Sequence, residues 1–227
     1  MAPKFLSKPT FLALLAGYST LTVAAYSQTI SFGGKVGIPI TEPFSSKRSP
    51  YDLPGIHDER SRLLFGPSVE FRFTPRFSFE VNALFQRLAF DYNYDYQFPE
   101  QGLTQIHHSV AADRWTIPLM AKYRFAERKG MRPFVSLGGA VSIVDRVRGG
   151  SEIVRPDGTR QHSGSALQPS QHVTLGGVAA AGLELGSGRI KYMPEFRYTR
   201  WSYRQYDFGG PLRSNRNQVD FMFGIRF

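Results

Sequence analysis

Eight times between Thr29 and the C-terminus the chain alternates between apolar residues and polar or small ones, and this period of two limits the fold more than any other feature. In the first run Ile30, Phe32, Val36, Ile38 and Ile40 stand on one parity, against Ser31, Gly33, Lys35 and Gly37 on the other. The pattern returns over 63–73, 77–86, 115–125, 135–143, 173–185, 190–198 and 218–227. Successive side chains of a strand point to opposite faces, so each run predicts a strand with one apolar face.

The connections predict how the strands close. They are long at 41–62, 91–113, 145–171 and 202–216, and short at 74–76, 126–132 and 186–188. An even number of strands joined alternately by short turns and long loops is the pattern of a membrane barrel. The predicted fold is therefore all-β, an eight-stranded antiparallel up-and-down transmembrane β-barrel.

Alternation alone does not say which face points inward, and a soluble ligand-carrying barrel shows the same period. Volume decides: the apolar parity carries about forty side chains, whereas the packed interior of an eight-stranded barrel holds about a dozen. The apolar face must point out, to lipid. The inside then receives Lys35, Glu70, Arg72, Glu80, Lys122, Arg124, Glu184, Lys191, Glu195, Arg197, Asp220 and Arg226. Buried charges persist when paired, so an ion-pair network filling the lumen is expected. The opposite register would aim Lys122 and Arg124 at hydrocarbon, at about 2–4 kcal/mol for each basic residue near the midplane.

Aromatic residues add two bands: Phe73, Phe77, Tyr123, Phe125, Tyr192 and Phe227 near the short turns, and Phe65, Phe85, Trp115 and Tyr198 toward the long loops. Membrane barrels carry such girdles at both interfaces. Arg87 and Arg200 share the outward parity at the long-loop ends, where they are expected to contact lipid headgroups. Pro67, Pro118 and Pro194 fall inside predicted strands, where each removes a ladder hydrogen bond, so bulges or shifted boundaries are expected there.

Residues 1–27 read as a cleaved signal peptide, with Lys4 and Lys8 ahead of an apolar run from Phe11 to Ala25 and a small-residue site at Ala25-Tyr26-Ser27. The barrel domain then occupies 28–227, with both mature ends in the periplasm of a Gram-negative bacterium. The formal charge of +10 falls to +8 without Lys4 and Lys8. For an exported chain this suits the phosphates of outer-membrane lipid and lipopolysaccharide better than nucleic acid, which is not expected as a partner. There is no cysteine, which removes disulfides and thiolate metal sites.

The stretches Trp115-Thr116-Ile117-Pro118-Leu119, Lys122-Tyr123-Arg124-Phe125, Arg132-Pro133-Phe134, Glu195-Phe196-Arg197-Tyr198-Thr199-Arg200-Trp201 and Phe223-Gly224-Ile225-Arg226-Phe227 resemble the small outer-membrane β-barrel domain family, the OmpA/OmpX-like eight-stranded barrels. The resemblance covers the mature chain and implies a location in the bacterial outer membrane. It also implies that the terminal aromatic, Phe227, is the signal read by the barrel-assembly machinery.

No catalytic, cofactor-binding or metal-binding residue is predicted. Lipid A deacylases, which also use small barrels, carry a His and a Ser two residues apart near a strand end. The similar stretch here is Arg200-Trp201-Ser202, and arginine cannot serve as the base. All five histidines, His57, His107, His108, His162 and His172, fall in or beside long loops, and the adjacent His107 and His108 point to opposite sides of an extended segment. The acidic, tyrosine-rich stretch 91–113 could meet a partner or a cation. The reading is a barrel with a charge-plugged lumen and a structural or loop-mediated role, including a possible extracellular partner. A small passive pore and a lipid-modifying enzyme are the alternatives.

Overall fold

The computed structural model describes residues 29–41, 44–46, 58–59, 63–98, 102–164, 170–186, 188–205 and 212–227. The leader expected over 1–27 lies outside the described residues, as does most of the connection 41–62. The strands are β1 (Thr29–Pro39), β2 (Phe44–Ser46), β3 (Asp58–Glu59), β4 (Leu64–Arg72), β5 (Phe77–Asn82), β6 (Leu84–Phe98), β7 (Gly102–Arg124), β8 (Met131–Val154), β9 (Arg160–Ser163), β10 (Val173–Leu185), β11 (Lys191–Trp201), β12 (Leu212–Ser214) and β13 (Asn217–Arg226).

Eight of these walls close on themselves. β5 and β6 form one wall broken at Ala83, and the cycle runs β1, β4, β5 with β6, β7, β8, β10, β11, β13 and back to β1, every pair antiparallel. Closure removes every edge from the barrel, as a wall in hydrocarbon requires.

The chain folds inside out relative to a soluble domain. Lys35, Glu80, Lys122 and Arg124 are buried within the barrel, while Phe32, Leu137, Leu175 and Phe196 stand exposed on its outer surface. The inward parity is odd in β1 and β11 and even in β4 through β7, in β10 and in β13, following the alternation of the sequence. The outward aromatics touch in two chains. Phe77, Tyr123 and Phe125 stack at the short-turn end with centroids 4.9 and 5.2 Å apart. Phe65, Phe85 and Trp115 meet on the other half at 5.7 and 5.2 Å.

The short turns follow local chemistry. Between β7 and β8 the chain reverses through Lys129 (φ 52°) and Gly130 (φ 74°), flanked by reciprocal 2.9 Å bonds between Arg128 and Met131. Two positive φ angles define the primed hairpin turn, whose twist matches that of the strands. Between β4 and β5 the Thr74 hydroxyl accepts from the Phe77 backbone N–H at 2.9 Å.

The expectation about connections is corrected, and that about prolines holds in part. First, 91–113 is not a loop: β6 and β7 stay paired from Leu84↔Thr116 out to Phe98↔Gly102. Likewise β8 runs on to Val154 and adds β9 beside it, so 145–171 is largely sheet. Second, none of the three prolines shifts the register. Boundaries do fall at them: β5 and β6 break at Ala83, opposite Pro67, whose carbonyl still accepts the Ala83 N–H at 3.1 Å; the ladder to β7 skips Pro118, and the β10–β11 ladder skips Pro194. The β7–β8 register shift lies instead between Ala111 and Asp113, where β8 carries one residue more than β7. An extra residue reverses parity. Below that point Ser136 and Ser142 of β8 face inward; above it Ser151 does.

Candidate functional site in the barrel interior

The lumen is crossed by two layers of ion pairs, each drawn from alternate walls. In the layer nearer the short turns, Glu70 of β4 and Glu184 of β10 face Arg124 of β7 and Arg226 of β13. Each arginine bridges both glutamates: Arg124 at 2.5 Å to Glu70 and 2.8 Å to Glu184, Arg226 at 2.6 Å and 2.9 Å. Four groups thus make a closed ring of alternating charge. Arg124 spends a further donor on the Ser78 hydroxyl at 2.8 Å.

The next layer uses the remaining walls. Lys35 of β1 donates to Glu80 of β5 at 2.5 Å and to Glu195 of β11 at 2.9 Å, and Arg197 holds the other Glu195 oxygen at 2.6 Å. The fourth wall, β8, contributes Phe134, over whose ring the Lys122 ammonium sits 4.5 Å from the centroid. Lys122 ties the layers together, pairing with Glu80 and lying 3.5 Å from Glu70. Alternate strands filling successive layers is how eight-stranded barrels pack their interior. Here the filler is charge rather than branched hydrocarbon.

Bridging forks satisfy several lone pairs at once, which is what lets ionised groups remain where their side chains are almost wholly buried. Small residues make room for the long ones. A Cβ on Gly37 would lie 2.1 Å from the Met222 sulfur, and one on Gly182 2.7 Å from the Phe134 ring. Above the charges come Met120, Ala140, Val178 and Trp201, a buried apolar cluster. Above those, Trp201 Nε1 donates to Gln218 at 3.3 Å, Arg114 bonds Gln86, and Gln205 from the β11 exit reaches back to the Ser142 hydroxyl at 2.6 Å.

Ten of the twelve charges predicted for the lumen are brought into one connected set: Lys35, Glu70, Arg72, Glu80, Lys122, Arg124, Glu184, Glu195, Arg197 and Arg226. Arg72 joins at the rim, 3.5 Å from Glu70. Lys191 does not join: it opens β11, and its ammonium turns to the Gly186 carbonyl at the barrel mouth. Asp220, directly across the ladder from Arg197, accepts instead from the Gln218 amide at 2.8 Å. On the outer surface Arg87 lies 3.4 Å from Asp113, and Arg200 projects from β11. Phe227 is exposed at the barrel rim, its N–H donating to the Phe32 carbonyl at 2.8 Å.

Arg114, Gln86, Phe134 and Gln205 were not singled out from sequence. Arg114 was findable, since it continues the even parity of β7 one step before Trp115. Gln205 gives no periodic signal, because it lies past the end of its strand. Of the histidines, His107 and His162 both flank Glu152 across the β7–β8 and β8–β9 ladders, with His162 Nε2 3.6 Å from the carboxylate.

The sequence model of a family described as outer membrane protein beta-barrel domain matches residues 26–210. The chain belongs to this family. No curated protein matches the family member described here by sequence. Among solved structures, this outer-membrane barrel is similar to the neisserial surface protein A at 11% identity, with 88% of this chain and 97% of that one covered and a TM-score of 0.43. It is similar to OprG from Pseudomonas aeruginosa at 12% identity, covering 88% and 95%, TM-score 0.45. Ail, the attachment invasion locus protein of Yersinia pestis, gives 13% identity over 88% and 97%, TM-score 0.36.

Proposed function

We propose that this outer-membrane protein is a closed barrel that conducts neither ions nor solutes and acts through the sheet it raises above the membrane. The observation that carries the reading is the pair of ion-pair layers, which tie seven of the eight walls to walls two places round the circle and fill the lumen between them. A tilted strand needs about 9–11 residues to cross a bilayer. β7 has 23 and β8 has 24, so roughly a dozen residues of each stand beyond the hydrocarbon. With β6 and β9 beside them they form a platform suited to an extracellular partner.

In this reading the short turns and both barrel ends lie in the periplasm, and the platform faces outward. Phe227 addresses the assembly machinery, while Arg87 and Arg200 meet outer-leaflet headgroups. The barrel has no catalytic step, since Arg200 projects from the outer wall where a deacylase would place its imidazole. Planar-bilayer recording of the protein extracted from membranes tests closure. A silent barrel is expected, with steady conductance appearing in Glu80→Ala combined with Lys122→Ala; large steady conductance of the unaltered barrel would overturn the reading. A protease site inserted at 155–159 tests orientation: cutting in intact cells is expected.

A further inference from the structure

The lipid-facing wall is not uniform. Between β7 and β11 it sinks into a groove of about 590 Å³, a volume within the range of about 300–1,000 Å³ typical of small-molecule sites. Its floor is Ala121, Ala179 and Ala181, and its walls are Tyr123 at one side and Phe196 with Tyr198 at the other. The register explains the shape: Ala121, Leu137 and Ala179 are cross-strand neighbours on β7, β8 and β10. Leu137, with an alanine on each side, stands 69% exposed and divides the floor into two furrows. Each furrow is about one strand spacing wide, roughly 4.8 Å.

A second feature lies beyond the groove's lining, one outward step further along β11. Arg200 is the next outward residue after Tyr198 on β11, and among the described residues no acid is paired with it, in contrast to Arg87, which has Asp113. Its neighbour across the ladder is Gly177, where a Cβ would meet nothing within 4 Å, so the guanidinium stem is free to lie toward the groove. The Tyr198 phenol is already turned to Asn217 at 3.0 Å, leaving the ring face to the groove.

We infer that the β11 side of this groove is a specific site for lipid A, with a glucosamine phosphate on Arg200 and an acyl chain lying in the furrow between Leu137 and Tyr198. The chemistry required is a phosphate close to several saturated chains. Arginine forms charge-assisted, bidentate bonds with phosphate, stronger here because the pair sits at the edge of a low-dielectric layer. The groove supplies apolar contact that a flat wall lacks.

The inference rests on the orientation proposed above, which puts Arg200 in the outer leaflet. Protection of the 155–159 site in intact cells would overturn both, whereas cutting there together with failed lipid binding would remove the groove alone. The direct test is native mass spectrometry of the extracted protein titrated with lipid A, lipid A stripped of phosphate, and phosphatidylglycerol. The expected result is one lipid A retained per barrel, with retention about tenfold weaker for Arg200→Gln, for the dephosphorylated lipid and for phosphatidylglycerol. Ala179→Phe with Ala181→Phe, which fills the furrow on lipid-facing positions, is expected to weaken it similarly, while Ile38→Phe on the far wall changes nothing. Equal retention by either variant, or of phosphatidylglycerol, would overturn the site.

Discussion

β7 and β8 each live in two environments, and the same ion-pair chemistry appears in both. In the barrel half, Arg124 and Lys122 meet Glu70, Glu80 and Glu184 with side chains almost wholly removed from solvent. In the raised half, Glu152 of β8 meets Arg160 at 3.3 Å and His162 at 3.6 Å, with Arg160 68% exposed. The distances overlap; the surroundings do not. In the barrel each of the four paired glutamates is shared by at least two cations, while above it the pairing is looser and water is at hand. Multiple bridging marks the place where an unpaired charge has nowhere else to go.

The largest expected effect comes from breaking the buried half. Glu70→Ala leaves Arg124, Arg226 and Lys122 short of an anion, and removing one partner of a buried pair costs about 3–5 kcal/mol. Urea unfolding in lipid vesicles, followed by the gel shift of the unfolded form, would read this as a lower midpoint. A loss under about 1 kcal/mol would mean that the lumen is hydrated and that the two halves do not differ. Next in size is Gly37→Leu, which must displace the Met222 side chain across the β1–β13 seam. Overpacking of this kind costs about 1–3 kcal/mol, measured in the same way. The charges are untouched, so this variant separates packing from pairing.

That contrast also explains what could be read from the sequence. The barrel halves were legible because an apolar outer face and a charge-filled interior put opposite chemistry on alternate residues, as in Ile117, Leu119 and Ala121 against Lys122 and Arg124. In the raised half the signal is present but reads as loop: Asp91, Asn93, Asp95 and Gln97 alternate with Tyr92, Tyr94, Tyr96 and Phe98, an aromatic rather than aliphatic period of two, and the ladder to Gly102–Ser109 continues unbroken. The prolines were legible in part: the ladder breaks beside each of them, but no bulge forms there. Pro67, Pro118 and Pro194 each lose one donor, but the rungs on either side hold the register, and only Ala111/Asp113, which contains no proline, shifts. The set of lumen charges followed from parity, while the ring joining Glu70, Arg124, Glu184 and Arg226 depends on which walls alternate around the circle. No local pattern carries that information.

Smaller effects test the raised half. Glu152→Ala removes the anion between Arg160 and His162, and exposed pairs of this sort contribute about 0–1 kcal/mol. The midpoint of global unfolding should hardly move, and any change should vanish in about 1 M salt, where the screening length falls to about 3 Å. A salt-insensitive loss of the size expected for Glu70→Ala would erase the distinction between the halves.

The smallest effect lies at the tip of the β8–β9 hairpin, where the Asp157 carboxylate accepts the Thr159 backbone N–H at 2.8 Å. That bond favours the charged form and holds the carboxyl below its ordinary value, with Arg155 adding to the effect. Because the folded value is the lower one, the contribution is fully present above the unfolded value and is lost as pH falls through the folded one. The Thr159 amide proton shift should therefore titrate on acidification, with a midpoint below that of a free aspartate, and Asp157→Asn should abolish the titration. The group is fully exposed, so the barrel midpoint should stay where it is throughout. A fall in that midpoint over the same pH window would couple the tip to the barrel, and the raised sheet would then be a mechanical extension of the wall rather than a platform standing on it.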